Sequence, residues 1–495
     1  MRYISTRNNC PAASFAEAVN QGMVAEGGLF VPEKIPGLDF SKLAGQPYQK
    51  IAADTLTPYM DGFDRGEIES CVNKAYTAGS FDISEVVKTV KAGGNRHILE
   101  LWHGPTAAFK DVALQIMPQF MKFSKVKCGD GSHTMILVAT SGDTGKAALE
   151  GFKDRDGISI AVFYPHGGVS EVQKLQMATT DGANTHVTAV RGNFDDCQNG
   201  VKALFVDGDL RDEAAGKGIK FSSANSINWG RLCPQIVYYA KSYLDLVRSG
   251  EISYGDKIDF CVPTGNFGNI LAGYYAREMG LPIRKLVCAS NKNNVLTDFF
   301  STGIYDRNRE FYKTASPSMD ILISSNLERF LFEMSERDAD KITACYESLA
   351  KDGKFSVGAD VAEKMRSLVE AYWVDEAEAL EAVGALFDDN GYIMDTHTAV
   401  AYAAAKRSAG GVPCIIVSTA SPYKFSVDVL KGLKIAPGDD ELDSVRKLSR
   451  AGAGPVHRAV DGLMDKPVRH SGVIDTGEMR EAVKRLLSNS YSTSK

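Results

Sequence analysis

Nine cysteines, an odd number, are scattered along the chain and no two are spaced Cys-x-x-Cys. This argues against a disulfide framework or a thiolate metal site and predicts reduced thiols. Cys261 and Cys414 sit inside apolar, strand-like runs, where a small buried hydrophobe is expected rather than a nucleophile. The eight histidines show no His-Glu-x-x-His or similar spacing, so no catalytic metal is expected. No run of about eighteen apolar residues exists to span a bilayer. The first residues lack a signal peptide's apolar core, and a cytoplasmic protein is expected. Lysine and arginine number 56 against 62 aspartates and glutamates, without a basic block or an aromatic-laced basic stripe. Nucleic acid is therefore not an expected partner.

What is present is an ordinary globular composition, 44% hydrophobic and 24% charged, in a chain of 495 residues, too long for one core. From residue 134 onward, short β-branched runs alternate with helical stretches. Strands are predicted at 134–140, 158–164, 186–190, 257–262 and 412–418, and helices at 145–152, 195–205 and 270–279 and from about Lys424. Ser170 with Gln173 spells a capping box that opens one further helix. Such alternation predicts an α/β protein with parallel sheets covered by helices. Residues 1–95 read as a separate, mostly helical N-terminal domain broken by prolines. Residues 437–495 read as a peripheral helical extension with an amphipathic run at 478–487 and disorder at the last Ser/Thr residues.

Lys110 stands at the mouth of an apolar helix that continues Val-Ala-Leu-Gln-Ile-Met. Burial disfavours an ammonium, so such an amine can lie neutral near pH 7 and condense with an aldehyde as a Schiff base. Alone, it reads equally as a lysine snorkelling from a helix end. Four loops, each at a strand's carboxyl end where parallel sheets bind ligands, give it context. Thr140, Ser141 and Thr144, with Asp143 and Gly145, lie between a strand and a helix, a setting for a carboxylate or phosphate as well as for a simple N-cap turn. The same loop mimics a nucleotide P-loop at Gly145-Lys146. Thr140 replaces that motif's first glycine, however, and Ala147 replaces its metal-binding hydroxyl.

Gly265, Asn266, Phe267, Gly268 and Asn269 form the second loop, whose two glycines let backbone N–H groups curl round a dianion. It is not Gly-x-Gly-x-x-Gly, which disfavours a dinucleotide. The third holds Asn225, Ser226 and Arg231, a clamp for a second phosphate or merely a capped turn with a surface arginine. The fourth ends a strand at Thr419, where a hydroxyl can face a ring nitrogen. Together with Lys110 these describe a pyridoxal phosphate enzyme acting on a phosphorylated amino acid.

Segments 101–111, 141–145, 225–231, 265–269, 316–321, 324–329 and 395–399, with 26–32 and 291–303, resemble threonine synthases of the longer type found in bacteria and fungi. The likeness runs from the N-terminus to about residue 430. It implies a tryptophan-synthase-β-like, fold-type-II architecture: a large pyridoxal-phosphate domain (96–133 and 253–436), a small mobile domain (134–252), and the N- and C-terminal parts named above. It implies pyridoxal 5'-phosphate on Lys110, its phosphate on the backbone of residues 265–269, its ring nitrogen facing Thr419, and Asp143 near its phenolic oxygen. Thr140, Ser141 and Thr144 would hold the substrate carboxylate, while Thr144, Asn225, Ser226 and Arg231 would hold the leaving phosphate. The activity implied is conversion of O-phosphohomoserine and water to threonine and phosphate, by a monomer or weak homodimer. Two departures from the family pattern are Gly230, where alanine is expected, and Ser421, where histidine is common. His397, at a helix start, is expected to brace a strand end rather than to catalyse. A phospho-lyase releasing a 2-oxo acid and a non-catalytic binding protein on the same scaffold remain as rivals.

Overall fold

The computed structural model describes residues 1–24, 26–408 and 410–488. The terminal Ser/Thr residues for which disorder is expected lie outside the described residues.

Two sheets organise the chain. The larger has six strands in the order Val369–Trp373, Ile283–Ser290, Ile258–Pro263, Cys414–Ser418, Arg96–Glu100 and Lys88–Gly93, and every pairing is parallel except the last. The smaller has five parallel strands in the order Val473–Asp475, Thr185–Arg191, Ile158–Pro165, His133–Ala139 and Ile219–Ser222. Central strands read as unbroken apolar runs because both faces are covered. In Cys414–Ser418, Ile415 and Val417 join one core while Cys414 and Ile416 join the core that holds the helix Thr396–Arg407. The small sheet repeats the arrangement. Met135, Leu137 and Ala139 pack with the helices Phe194–Val206 and Met479–Leu487, whereas Ile136 and Val138 face the main core.

The structure corrects three boundaries. The strand Lys88–Gly93, inside the expected N-terminal domain, pairs antiparallel with Arg96–Glu100 and closes one edge of the large sheet. Its lysines, Lys88 and Lys91, are those of a protected edge strand, which periodicity alone does not separate from a loop. The small sheet's last strand before the tail ends at Ser222. The helix Ile236–Ser249, expected in the small domain, packs against Gly268–Glu278 and against Tyr48–Leu56 of the N-terminal region. The tail is not only helical, because Val473–Asp475 adds a strand to the small sheet beside Thr185–Arg191. Three residues are too short a run to show a period. Among the described residues, no helix is long and apolar enough to cross a membrane, and no group of three or more His, Cys, Asp or Glu could hold a metal.

Candidate active site

The loop before Lys110 is zipped onto the end of the strand Cys414–Ser418. Leu101 N–H donates to the Ser418 carbonyl at 3.0 Å, Phe109 N–H to the Thr419 carbonyl at 2.9 Å, and Ser421 N–H to the Ala107 carbonyl at 3.1 Å. A left-handed turn at Ala107 (φ 60°) then launches the helix Lys110–Lys127. Two segments remote in sequence, those of Lys110 and Thr419, are thereby fixed side by side at one sheet end.

Lys110 Nζ lies 3.4 Å from Asp143 Oδ2 and 3.3 Å from Ser318 Oγ, with only 11% of its side chain exposed. Burial pushes its pKa below the ordinary lysine value. Asp143 pulls it back, and the charges of Lys424 and Arg231 press it down further. The amine thus gives up its proton more readily than an ordinary lysine, as a nucleophile or base requires.

Asp143 is the hub. Its Oδ1 receives Lys424 Nζ at 2.5 Å and Gln173 Nε2 at 2.9 Å, and its Oδ2 receives Ser318 Oγ at 3.2 Å. Burial raises this carboxyl's pKa, but Lys424 and Lys110 outweigh burial and hold it well below the usual carboxylate range. It is an ionised aspartate. Gly142 (φ 130°) makes the contact with Gln173 available, since a Cβ there would stand 2.4 Å from the Gln173 amide carbon. Gln173 serves two purposes, because its side-chain oxygen also completes the capping box with Ser170.

In the same loop, Thr140 Oγ1 accepts from the N–H groups of Gly142 (3.0 Å) and Gly145 (2.9 Å). Its oxygen shapes the loop, leaving the hydroxyl proton for a ligand, while Ser141 and Thr144 are half-buried at its rim. Thr140→Val should leave two buried donors unpaired at about 1–3 kcal/mol each. A lower urea midpoint that Thr140→Ser restores is the expected outcome.

The 265–269 loop is turned so that its carbonyls point away from the site. Gly265 O accepts from Ser324 Oγ at 2.7 Å, and Asn266 O accepts from Asn326 N at 3.0 Å. Phe267 (φ 62°) sends its ring against Phe300 and Phe330. The helix Gly268–Glu278 therefore begins with free N–H groups. A Cβ on Gly268 would project among amide donors, 3.5 Å from Asn326 Nδ2 and 3.8 Å from Gln235 Nε2. Asn269 Oδ1 is taken by the hydroxyls of Tyr238 (2.7 Å) and Tyr239 (2.8 Å), which leaves its buried Nδ2 without a partner. Open helix-start donors beside an orphaned amide fit a phosphate.

Arg231 is 3% exposed. One guanidinium nitrogen donates to the Ala224 carbonyl, but its buried Nε has no partner, and burial brings its pKa down to about 10. A desolvated guanidinium with an unused N–H is complementary to an anion. The turn that carries it is capped by Asn228, whose Oδ1 accepts from Gly230 N–H and whose Nδ2 reaches the Val19 carbonyl. A Cβ at Gly230, where alanine is expected, would meet both Val19 methyls at 3.3 Å, a tight approach that Val19 would have to relieve by a few tenths of an ångström. Ser226 Oγ lies 3.4 Å from Ser325 Oγ, which brings the third loop against the 324–326 stretch whose side chains hold the second loop's carbonyls. Ser421, the other departure from the family pattern, is 1% exposed and its hydroxyl has no partner.

His397 braces a loop rather than a strand end. Its Nδ1 is 2.9 Å from Asp395 Oδ1, and its Nε2 accepts the Ser318 N–H at 3.1 Å. With the latter lone pair occupied, the imidazole is a prop for Ser318 and not a base. Sequence reasoning missed Ser318, Lys424 and Gln173. Only Ser318 lay in a segment that carried the resemblance, and Gln173 was read as a cap alone.

A family model for the threonine synthase N terminus matches residues 2–76, and one for pyridoxal-phosphate-dependent enzymes matches residues 91–418. A threonine synthase from Pseudomonas aeruginosa is 38% identical over 88% of this chain and 92% of its own length. The human protein named threonine synthase-like 1 is 40% identical over 99% of this chain and 69% of its own length. The solved structure of a pyridoxal-phosphate-bound threonine synthase from Brucella melitensis superposes with a TM-score of 0.88 at 35% identity, covering 99% of this chain and 100% of that one. The open helix-start donors and the orphaned Asn269 amide are what its cofactor's phosphate calls for, and the chain belongs to the threonine synthase family of fold-type-II, pyridoxal-phosphate-dependent enzymes.

Proposed function

We propose that the protein is a threonine synthase, converting O-phospho-L-homoserine and water to L-threonine and inorganic phosphate. The observation that carries this reading is the buried Arg231 guanidinium, with an unpartnered Nε, near enough that its charge acts on Lys110. A site that already provides one phosphate cradle at residues 265–269 has, in Arg231, a second place for a phosphate. One anion belongs to the cofactor and the other to the substrate.

Lys110 would carry the cofactor aldehyde, the N–H groups of Gly265, Asn266, Phe267, Gly268 and Asn269 would hold its phosphate, and the Thr419 hydroxyl would serve its ring nitrogen. Pyridoxal phosphate, when bound, supplies an electron sink for charge developing on the substrate carbons. A neutral hydroxyl at Thr419 moderates that sink relative to a carboxylate. Thr140, Ser141 and Thr144 orient the substrate carboxylate, and Arg231 with Thr144, Asn225 and Ser226 grips the phosphate that leaves from Cγ. Lys110, once its amine is free, takes one proton from Cα and one from Cβ and delivers protons to Cγ, where the C–O bond to phosphate has broken, and back to Cα, while water adds its hydroxyl at Cβ and its remaining proton goes to the released phosphate. Asp143, kept ionised by Lys424, orients the Lys110 amine. The small domain closes over substrate so that water enters after phosphate has gone.

Incubation of the protein with O-phospho-L-homoserine, followed by separation of amino and 2-oxo acids, tests the reading. Threonine and phosphate in equal amounts are expected. Phosphate with 2-oxobutyrate in threonine's place would make the protein a phospho-lyase, and no phosphate release would leave only a binding protein.

A further inference from the structure

Two buried lysines converge on one carboxylate. Lys424, with no exposed side-chain surface, stands 2.5 Å from Asp143 Oδ1, whereas Lys110 stands 3.4 Å from Oδ2. Lys424 also donates to the Thr106 carbonyl at 3.2 Å, and its own N–H donates to the Ser421 carbonyl in the short turn Pro422–Phe425. It is built into the floor of the site. Gln173 and Ser318 add one hydrogen bond to each Asp143 oxygen, so the carboxylate has little freedom to turn toward Lys110.

The other charges facing this group come from three elements. Asp111 follows Lys110 on the same helix. Burial pushes its pKa up to about 6 although Thr106 donates to both its oxygens, and Lys424 and Arg231 both face it. Arg231 faces Lys110 from the 225–231 turn. His457, from the C-terminal extension, faces Lys424 and is pushed down to about 4, chiefly by burial. Lys110, Lys424 and Arg231 therefore share two carboxylates, Asp143 and Asp111, an excess of cation that suits a site for two phosphates.

We propose that Lys424 is a positioning residue that occupies Asp143 as its ion-pair partner, so that Lys110, the more weakly held of the two amines, is the one free to give up its proton and act as a base. This deepens the reading of Lys110 as the working amine and rests on it. The sign follows from Coulomb's law. Removing Lys424 takes away a cation that repels the Lys110 ammonium and hands that ammonium the whole of Asp143, and both changes favour the protonated form.

The full-length protein, freed of cofactor, is labelled competitively at its amines with isotopic acetic anhydride across a pH series, and the Lys110 peptide is read by mass spectrometry. In the unsubstituted protein Lys110 half-titrates below an ordinary lysine's value of about 10.4. Lys424→Met should raise that midpoint by about one unit or more, cutting Lys110 labelling about tenfold at any pH below it. Lys424→Arg should keep it within a few tenths of a unit. A merely structural lysine would not produce this pattern. A folded Lys424→Met protein whose Lys110 midpoint stays put or falls overturns the proposal. If Lys424→Met fails to fold, Asp143→Asn decides. There Lys110 should titrate lower than in the unsubstituted protein, and an unchanged midpoint overturns the proposal equally. The labelling needs neither substrate nor cofactor. A shifted midpoint in a protein that makes no threonine sinks the reaction alone, and threonine formed without the shift sinks this proposal alone.

Discussion

Lys110→Ala is expected to abolish turnover, lowering the rate of phosphate release by a factor of about 10³ to 10⁴ or more, because one amine both carries the cofactor and moves the protons. Folding should survive, since Asp143 keeps Lys424 at 2.5 Å and its bonds from Gln173 and Ser318. The substituted protein should also lose the visible absorbance that covalently held pyridoxal phosphate gives, while the 265–269 cradle and the Arg231 pocket, built from other loops, stay intact. A folded variant that released phosphate at more than about a hundredth of the normal rate would mean that another group does this work.

Arg231→Ala should strike capture of the phosphorylated substrate. Truncating one partner of a buried, charge-assisted contact costs about 2–5 kcal/mol, which is about 30- to 5,000-fold in kcat/KM. Arg231→Lys keeps the charge but not the planar fork and should recover only part of the loss. The ligand-free protein should not suffer in the same measure. Arg231 makes one backbone hydrogen bond and leaves Nε unpaired, so Arg231→Met is expected to melt at or above the normal temperature. That opposition, weaker substrate capture without weaker folding, separates an anion-binding arginine from a structural one. Arg329, equally buried but bonded to Asn326, Ile227 and Phe30, should show the reverse. A kcat/KM within a few fold of normal for Arg231→Ala would place the phosphate elsewhere.

The loops of this site were readable because their information is local. A β-branched run, a polar or glycine-rich break and a helical pattern specify a strand end facing a helix start wherever they occur, and anions bind there. The capping box at Ser170 and Gln173 forms with both its bonds, and the glycine pattern at 265–269 gives the free helix start it implied. Lys424 was invisible for the opposite reason. In the chain it is one lysine in a turn, and only the zipper between 101–109 and 418–421 brings it under Asp143. Whether Asp143 is ionised could not be read without it. The strands Lys88–Gly93 and Val473–Asp475 escaped as well, since an edge strand with exposed lysines and a three-residue strand carry almost no hydrophobic period. Gly230 shows the limit most plainly, because the close approach of Val19 comes from a helix about two hundred residues earlier in the chain.

The account stands or falls on which amine meets the cofactor. The protein loaded with pyridoxal phosphate, reduced with borohydride and digested, should yield a single pyridoxyl-modified peptide by mass spectrometry, with the added mass on Lys110. Modification of Lys424 or Lys146, the other buried lysines of this region, or of none in fully loaded protein, would contradict it.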